Sequence, residues 1–242
     1  DGRLRKRADA FAWFRAGEAA EAVSFFKKCG VAEVMMIGKV QPNTIYRRGN
    51  FGDAARVFWE GVSEKSPIPL LKAVVAFLEA EGLQVVSPSS VLKPFFCGEG
   101  VLTKVRPSAS VVSDIDFGLR KAREIADMDI GQTLVVKDGA VVAVEGMEGT
   151  DHAIRRGGRL AGKGFVAVKA ARTSQDLRLD VPAVGLDTIR CLISAGGAAL
   201  GLEAFRVAFF QREEALALAD SHGLAVVVRS LQGRPEGEER DG

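Results

Sequence analysis

The segment from Lys169 to Pro182 holds the densest set of side chains able to do chemistry. Asp176, Arg178 and Asp180 alternate there with Leu177 and Leu179. An extended backbone would therefore set the three polar groups on one side at a period of two. Two carboxylates on one edge suit a hard divalent cation, magnesium first and manganese second, that takes oxygen ligands and keeps waters which phosphate oxygens can replace. Arg178 offers such phosphates a bidentate fork, and Lys169 offers a point charge. The combination points to phosphoryl transfer to water, in which a protein mainly positions groups and stabilises charge. A second reading of the same residues is a solvated loop in which Asp176 and Asp180 pair with Arg172 and Arg178.

A second segment, Glu145 to His152, follows a β-branched run and opens a helix. At Gly149-Thr150-Asp151 the free amides of the helix start, with Thr150, could receive a phosphate. The same residues also read as a plain helix cap. Lys39, after Gly38 at a strand end, lies where open α/β sheets bind ligands, although a solvated lysine is the commoner case. His152 and His222 read as surface or capping residues, and Cys97 and Cys191 as small buried ones. No P-loop, GxSxG elbow, HExxH or strand-linked GxGxxG is present. Three cysteines and two histidines at wide spacings argue against a disulfide framework or a zinc site and for a reducing, cytoplasmic compartment.

Groups of this kind need strand ends and helix starts to hold them. Of 242 residues 47% are apolar and 26% charged, as in ordinary globular proteins. The formal charge of +2 gives no global field toward nucleic acid. No apolar run reaches the roughly 18–20 residues of a membrane-spanning helix. The chain opens at Asp1 without a secretory leader, and its true amino terminus is expected upstream. The basic run Arg3-Leu4-Arg5-Lys6-Arg7 suits an anionic membrane surface.

Glu18 to Cys29 puts Ala22, Val23, Phe25 and Phe26 on one helical face and stops at Gly30, before a buried strand expected from Val31 to Gly38. Leu70 to Glu81 and Gln84 to Val86 repeat the scheme, which implies parallel layering. Ser87 to Pro107 reads as loop, and Ser113 with Asp116 as the cap of a helix running to Met128. Gln132–Val136 and Ala140–Val144, joined through Asp138-Gly139, read as a hairpin. Helices near 151–160, 188–195 and 213–222 then alternate with strands near 165–169, 200–210 and 224–229.

These residues resemble the LpxI-type UDP-2,3-diacylglucosamine pyrophosphatases. The resemblance rests on Gly131-Gln132-Thr133, the Asp138-Gly139 hairpin, Glu148-Gly149-Thr150-Asp151, Lys169, the string Gln175 to Pro182, Gly185 and Thr188. It runs from about Gly100 to Arg229, with a weaker match at Gly30-Val31 and Gly38-Lys39-Val40. The family's glycine-rich opening is absent from this chain, and Ser66-Pro67-Ile68-Pro69 stands where the family often carries two aspartates.

The resemblance implies magnesium-dependent hydrolysis of UDP-2,3-diacylglucosamine to UMP and 2,3-diacylglucosamine 1-phosphate (lipid X) in lipid A synthesis, with the substrate between two domains. Carried over, it marks Asp176 and Asp180 for metal and catalysis, and Lys169, Gln175 and Arg178 for the pyrophosphate. Glu148, Gly149, Thr150 and Asp151 would form the facing wall. Acyl chains require apolar lining, for which Phe95, Phe96, Phe205, Phe209 and Phe210 are candidates. The expected architecture is two α/β domains. An N-terminal Rossmann-like parallel-sheet domain, truncated at its start, covers 1–108, and a connecting helix covers 109–130. A C-terminal mixed-sheet α/β domain covers 131–231, and 232–242 form a disordered tail. Expected partners are the lipid substrate, the cytoplasmic face of the inner membrane and a second copy of the chain. A different class of function on the same loops is a non-catalytic sensor that binds a nucleotide-sugar or lipid.

Overall fold

The structure is a computed structural model that describes residues 2–15, 18–38 and 67–231. It divides into two compact units, Asp1–Pro88 with Leu177–Asp180, and Ser89–Asp176 with Val181–Gly242.

In the first unit the described elements are α1 (Gly2–Arg5), α2 (Ala19–Lys28), β1 (Glu33–Val34), α3 (Pro67–Ala80) and β2 (Gln84–Val85). β1 and β2 pair in parallel, Glu33 with Gln84 and Val34 with Val85. Val23 from α2 and Val75 and Leu78 from α3 are buried with Leu83 and Val85, and Leu179 packs against them. Gly30 and Gly82 end the two helices at φ +69° and +82°, a region open to glycine at little cost. The buried strand expected over 31–38 is corrected to the two residues of β1. Glu33 is exposed, because β1 has a partner on one side only among the described residues.

The second unit begins with α4 (Ser89–Leu92), a 3-10 turn (Lys93–Phe95) and β3 (Gly100–Val101), all within the stretch expected to be loop. Then follow α5 (Ala109–Asp127), β4 (Thr133–Lys137), β5 (Ala140–Val144), α6 (Thr150–Ala161), β6 (Val166–Lys169), β7 (Ala183–Val184), α7 (Leu186–Ala195), β8 (Ala199–Glu203), β9 (Ala208–Phe209), α8 (Arg212–Ser221) and β10 (Ala225–Arg229). Six strands form a mixed sheet in the order β3-β10-β8-β6-β4-β5. β6, β8 and β10 run parallel, while β3, β4 and β5 are antiparallel to their neighbours. β7 and β9 form a small parallel pair.

Alternation along the strands sends side chains to two cores. Leu134, Val136, Val166 and Val168 meet Ile115, Leu119 and Ala122 of α5. Val135, Ala143 and Ala167 belong with Ile154 of α6, Ile189 and Leu192 of α7 and Ala215 of α8 on the other face. The sheet is thus covered by one long helix on one side and three shorter ones on the other. α6 lies close to β4, since a Cβ built at Gly157 would sit 2.6 Å from Val135.

Two local expectations change. The cap of α5 is Ser108, whose hydroxyl accepts from Val111 N–H at 3.4 Å, so Ser113 lies inside the helix. Its neighbour Asp114 instead accepts the N–H groups of Asp138 and Gly139 at 2.9 and 2.7 Å, holding the hairpin turn from outside. The backbone from Leu177 to Leu179 is a turn rather than extended, so Asp176, Arg178 and Asp180 do not form a period-two face. Among the described residues no helix is long and apolar enough to cross a membrane.

Candidate functional site at the strand ends

The parallel strands β6, β8 and β10 end together in register, and antiparallel pairing places the start of β4 beside the end of β6, with Thr133 opposite Lys169. By alternation Thr133 shares the face of Val135, Lys169 that of Ala167, and Glu145, one step past β5, that of Ala143. All three therefore lie on the face covered by α6. The close packing of α6 on β4 delivers Thr150, its first residue, onto them.

The result is a buried polar cluster. The Lys169 ammonium donates to Thr150 Oγ1 at 2.9 Å and Thr133 Oγ1 at 3.2 Å, and stands 3.6 Å from Glu145 Oε2. Thr150 donates its hydroxyl proton to Glu145 Oε1 at 2.9 Å, and Gln132 N–H reaches Glu145 Oε2 at 3.4 Å. Lys169 and Glu145 are 5% and 9% exposed, so each depends on the other to keep its charge. Burial pushes the Glu145 carboxyl up, but the Lys169 charge and the bonds from Thr133, Thr150 and Gln132 outweigh it and hold the group below the ordinary carboxylate range.

The residue at the cap of α6 is Gly149, at φ +83°, which has no side chain to offer, so the helix begins without a side-chain cap while the Thr150 hydroxyl is turned inward. The positive end of the dipole of this twelve-residue helix lies at Gly149 and Thr150. Glu148 pairs with Arg156 at 2.5 Å, and Arg156 also donates to Val144 O at 2.8 Å. Asp151 O accepts from Cys191 Sγ at 3.3 Å, tying the first turn of α6 to α7.

On the opposite face a second buried carboxylate organises the loop after β6. Glu203, at the end of β8, accepts Ala171 N–H at 2.9 Å and pairs with Arg123 and with Arg206. Arg206 donates to Arg172 O at 2.5 Å and Thr173 O at 2.9 Å. Thr173 N–H and hydroxyl donate to Asp127 at 2.6 and 2.7 Å, and Arg172 pairs with Asp129 at 2.5 Å. Gln175 Oε1 then accepts Arg172 N–H at 3.1 Å and Gln132 Nε2–H at 3.5 Å, which sets the position of Asp176 next to it.

The structure thus brings together Lys169, Thr150 and Gly149 and ties Gln175 to the start of β4. Arg178 is held in the first unit by Glu79 at 3.4 Å, and Asp180 is half-buried in the same unit. Lys39 lies outside the described residues. Of the aromatic candidates, Phe209 is core, Phe95 and Phe210 stack at 4.8 Å, and Phe205 is 51% exposed. Sequence reasoning assigned no role to Glu145, Glu203, Arg123 or Arg206. A glutamate directly after the β-branched run 140–144 was the visible signal for the first. Nothing in sequence marks the other three, whose roles come from strand register. Among the described residues no group of three or more His, Cys, Asp or Glu side chains is arranged to hold a metal.

The chain is a mixed α/β protein whose parallel strands carry buried charge pairs at their carboxyl ends, the edge at which open α/β sheets generally take ligands. Residues 98–227 match the profile of the LpxI C-terminal domain and residues 1–95 that of the LpxI N-terminal domain, and the chain belongs to the LpxI family. It is 37% identical over 181 residues to the UDP-2,3-diacylglucosamine pyrophosphatase LpxI of Caulobacter vibrioides, an alignment covering 72% of this chain and 65% of that relative.

Proposed function

We propose that this chain hydrolyses the pyrophosphate of UDP-2,3-diacylglucosamine, releasing UMP and 2,3-diacylglucosamine 1-phosphate. Membership of the LpxI family and the activity for which the Caulobacter vibrioides relative is named support the substrate. The observation that carries the reading to this site is the uncapped start of α6 above the Lys169–Thr150–Glu145 cluster. Backbone N–H groups of Thr150 and Asp151 take phosphate oxygens, with Lys169 supplying positive charge from beneath. Gln175 holds the loop that presents Asp176.

Asp176 carries hard oxygen donors of the kind magnesium takes and would hold such an ion with waters completing its shell. When bound, it would neutralise charge on the diphosphate. Asp176, on a loop anchored by Glu203 and Gln175, then orients the attacking water. Leu4, within the basic run, and Trp13, six residues past its end, are 61% and 75% exposed and suit contact with the anionic face of a bilayer.

The test is incubation with UDP-2,3-diacylglucosamine and magnesium, followed by assay of UMP. UMP release abolished by EDTA supports the proposal. Saturable ligand binding without release would assign the loops to a sensor instead.

A further inference from the structure

We infer that Arg206 is a positioning residue for hydrolysis, one that holds the backbone just ahead of Asp176 and acts through that loop, not on the substrate. The inference rests on the role proposed for Asp176 and adds what keeps that residue in place.

The loop after β6 is fixed one peptide plane at a time. Ala171 N–H donates to Glu203 at 2.9 Å, and Arg172 N–H donates to Gln175 Oε1 at 3.1 Å. The plane joining Arg172 to Thr173 is held at both ends, its carbonyl accepting from Arg206 at 2.5 Å and its N–H donating to Asp127 at 2.6 Å. The same Arg206 nitrogen donates to Thr173 O at 2.9 Å, which fixes the next plane as well. Each peptide unit is rigid, so a chain whose successive planes are held has little freedom left in φ and ψ. Arg206 therefore sets the direction in which the backbone leaves for Gln175 and Asp176. Arg123 pairs with Glu203 too and reaches the Thr173 hydroxyl at 3.4 Å, but that side-chain contact fixes no peptide plane.

The chain is shaped to deliver the Arg206 guanidinium. Its Nε stands 3.4 Å from Glu203 Oε1, and that carboxylate is 3% exposed, so a buried charge aims the planar fork. Residues 204–206 form a turn that brings Arg206 back beside Glu203, and Phe205 passes through it at φ +59°. Left-handed backbone is costly for a bulky side chain. The Phe205 ring is 51% exposed, so its burial does not offset that cost. Strain of this kind persists where the surrounding structure requires it, and what it places here is Arg206.

The test compares wild type, Arg206→Met and Arg206→Lys in steady-state hydrolysis of UDP-2,3-diacylglucosamine with magnesium, with thermal melting and backbone hydrogen exchange of each full chain. At a temperature where all are folded, Arg206→Met should lower kcat about 10–100-fold and leave KM within about threefold of wild type. Its amides over 171–176 should exchange about tenfold faster while those of β6 and β8 stay protected. Arg206→Lys keeps a charged donor without the fork and should recover part of kcat, remaining about threefold to tenfold below wild type. A merely structural role would lower the melting temperature and leave kcat of the folded protein unchanged. Should Arg206→Met fail to fold, the loss in Arg206→Lys carries the test. Wild-type kcat in a folded variant overturns the inference, as does a change confined to KM or unchanged exchange over 171–176. If wild type releases no UMP, the proposed function fails on that result alone, and exchange over 171–176 still decides whether Arg206 holds the loop.

Discussion

Lys169 and Glu145 illustrate how two charges can be kept at 5% and 9% exposure. Each is stabilised by the other and by Thr133 and Thr150, so deleting one partner leaves an uncompensated buried charge. Lys169→Met is expected to cost about 3–5 kcal/mol, read from urea unfolding, whereas the double change Lys169→Met/Glu145→Gln should recover most of it. The pH dependence follows from the same pair. The Glu145 carboxyl lies below its ordinary range in the folded chain because Lys169 and three hydrogen bonds outweigh its burial. Its contribution is therefore complete above the ordinary carboxylate range and is lost as pH falls through the depressed folded value. Melting temperatures of wild type and Glu145→Gln should differ most near neutrality and converge in acid. A difference that grows in acid would reverse the assignment.

At the scale of elements, the site depends on how near α6 comes to the sheet. Gly157 has no room for a side chain, its added Cβ falling 2.6 Å from Val135. Gly157→Ala should cost about 1–3 kcal/mol in thermal unfolding and, by lifting α6, separate Thr150 from Lys169, reducing turnover beyond the loss of folded protein. Much of the element order was legible in sequence, since helix-period stripes and β-branched runs mark α2, α3, α6, α7, α8 and the β4–β5 hairpin directly. The hairpin is clearest, because Asp138 and Gly139 take the positive φ values of +51° and +74° that this dipeptide tolerates. What sequence obscured was decided by neighbours distant in the chain. Ser113-Asp116 had the pattern of a cap, yet the hydroxyl that caps is Ser108, and Asp114 is drawn to the hairpin turn. Likewise the alternation of Asp176, Arg178 and Asp180 suggested a strand, but the backbone turns over 177–179 and Leu179 packs against the cluster that holds Val75 and Val85. Lys169 and Thr150 were read as site residues from spacing and family likeness. Glu145, their link, needed the strand register.

For the molecule as a whole, the proposed substrate is amphipathic, with a diphosphate at one end and acyl chains at the other. The basic run at Arg5-Lys6-Arg7, with Trp13 exposed nearby in sequence, should favour anionic bilayers by about 1 kcal/mol per charge. Replacing these three residues by alanine is expected to reduce co-sedimentation with anionic vesicles and leave neutral vesicles unaffected, while equal loss on both would remove the electrostatic account. The central claim is that the loop following β6 carries out hydrolysis. It is tested most directly by UMP release from UDP-2,3-diacylglucosamine by wild type and by Asp176→Asn. The account predicts magnesium-dependent release by wild type and a loss of about 10²–10³-fold in the variant at a nearly unchanged melting temperature. Equal release by both proteins would contradict it.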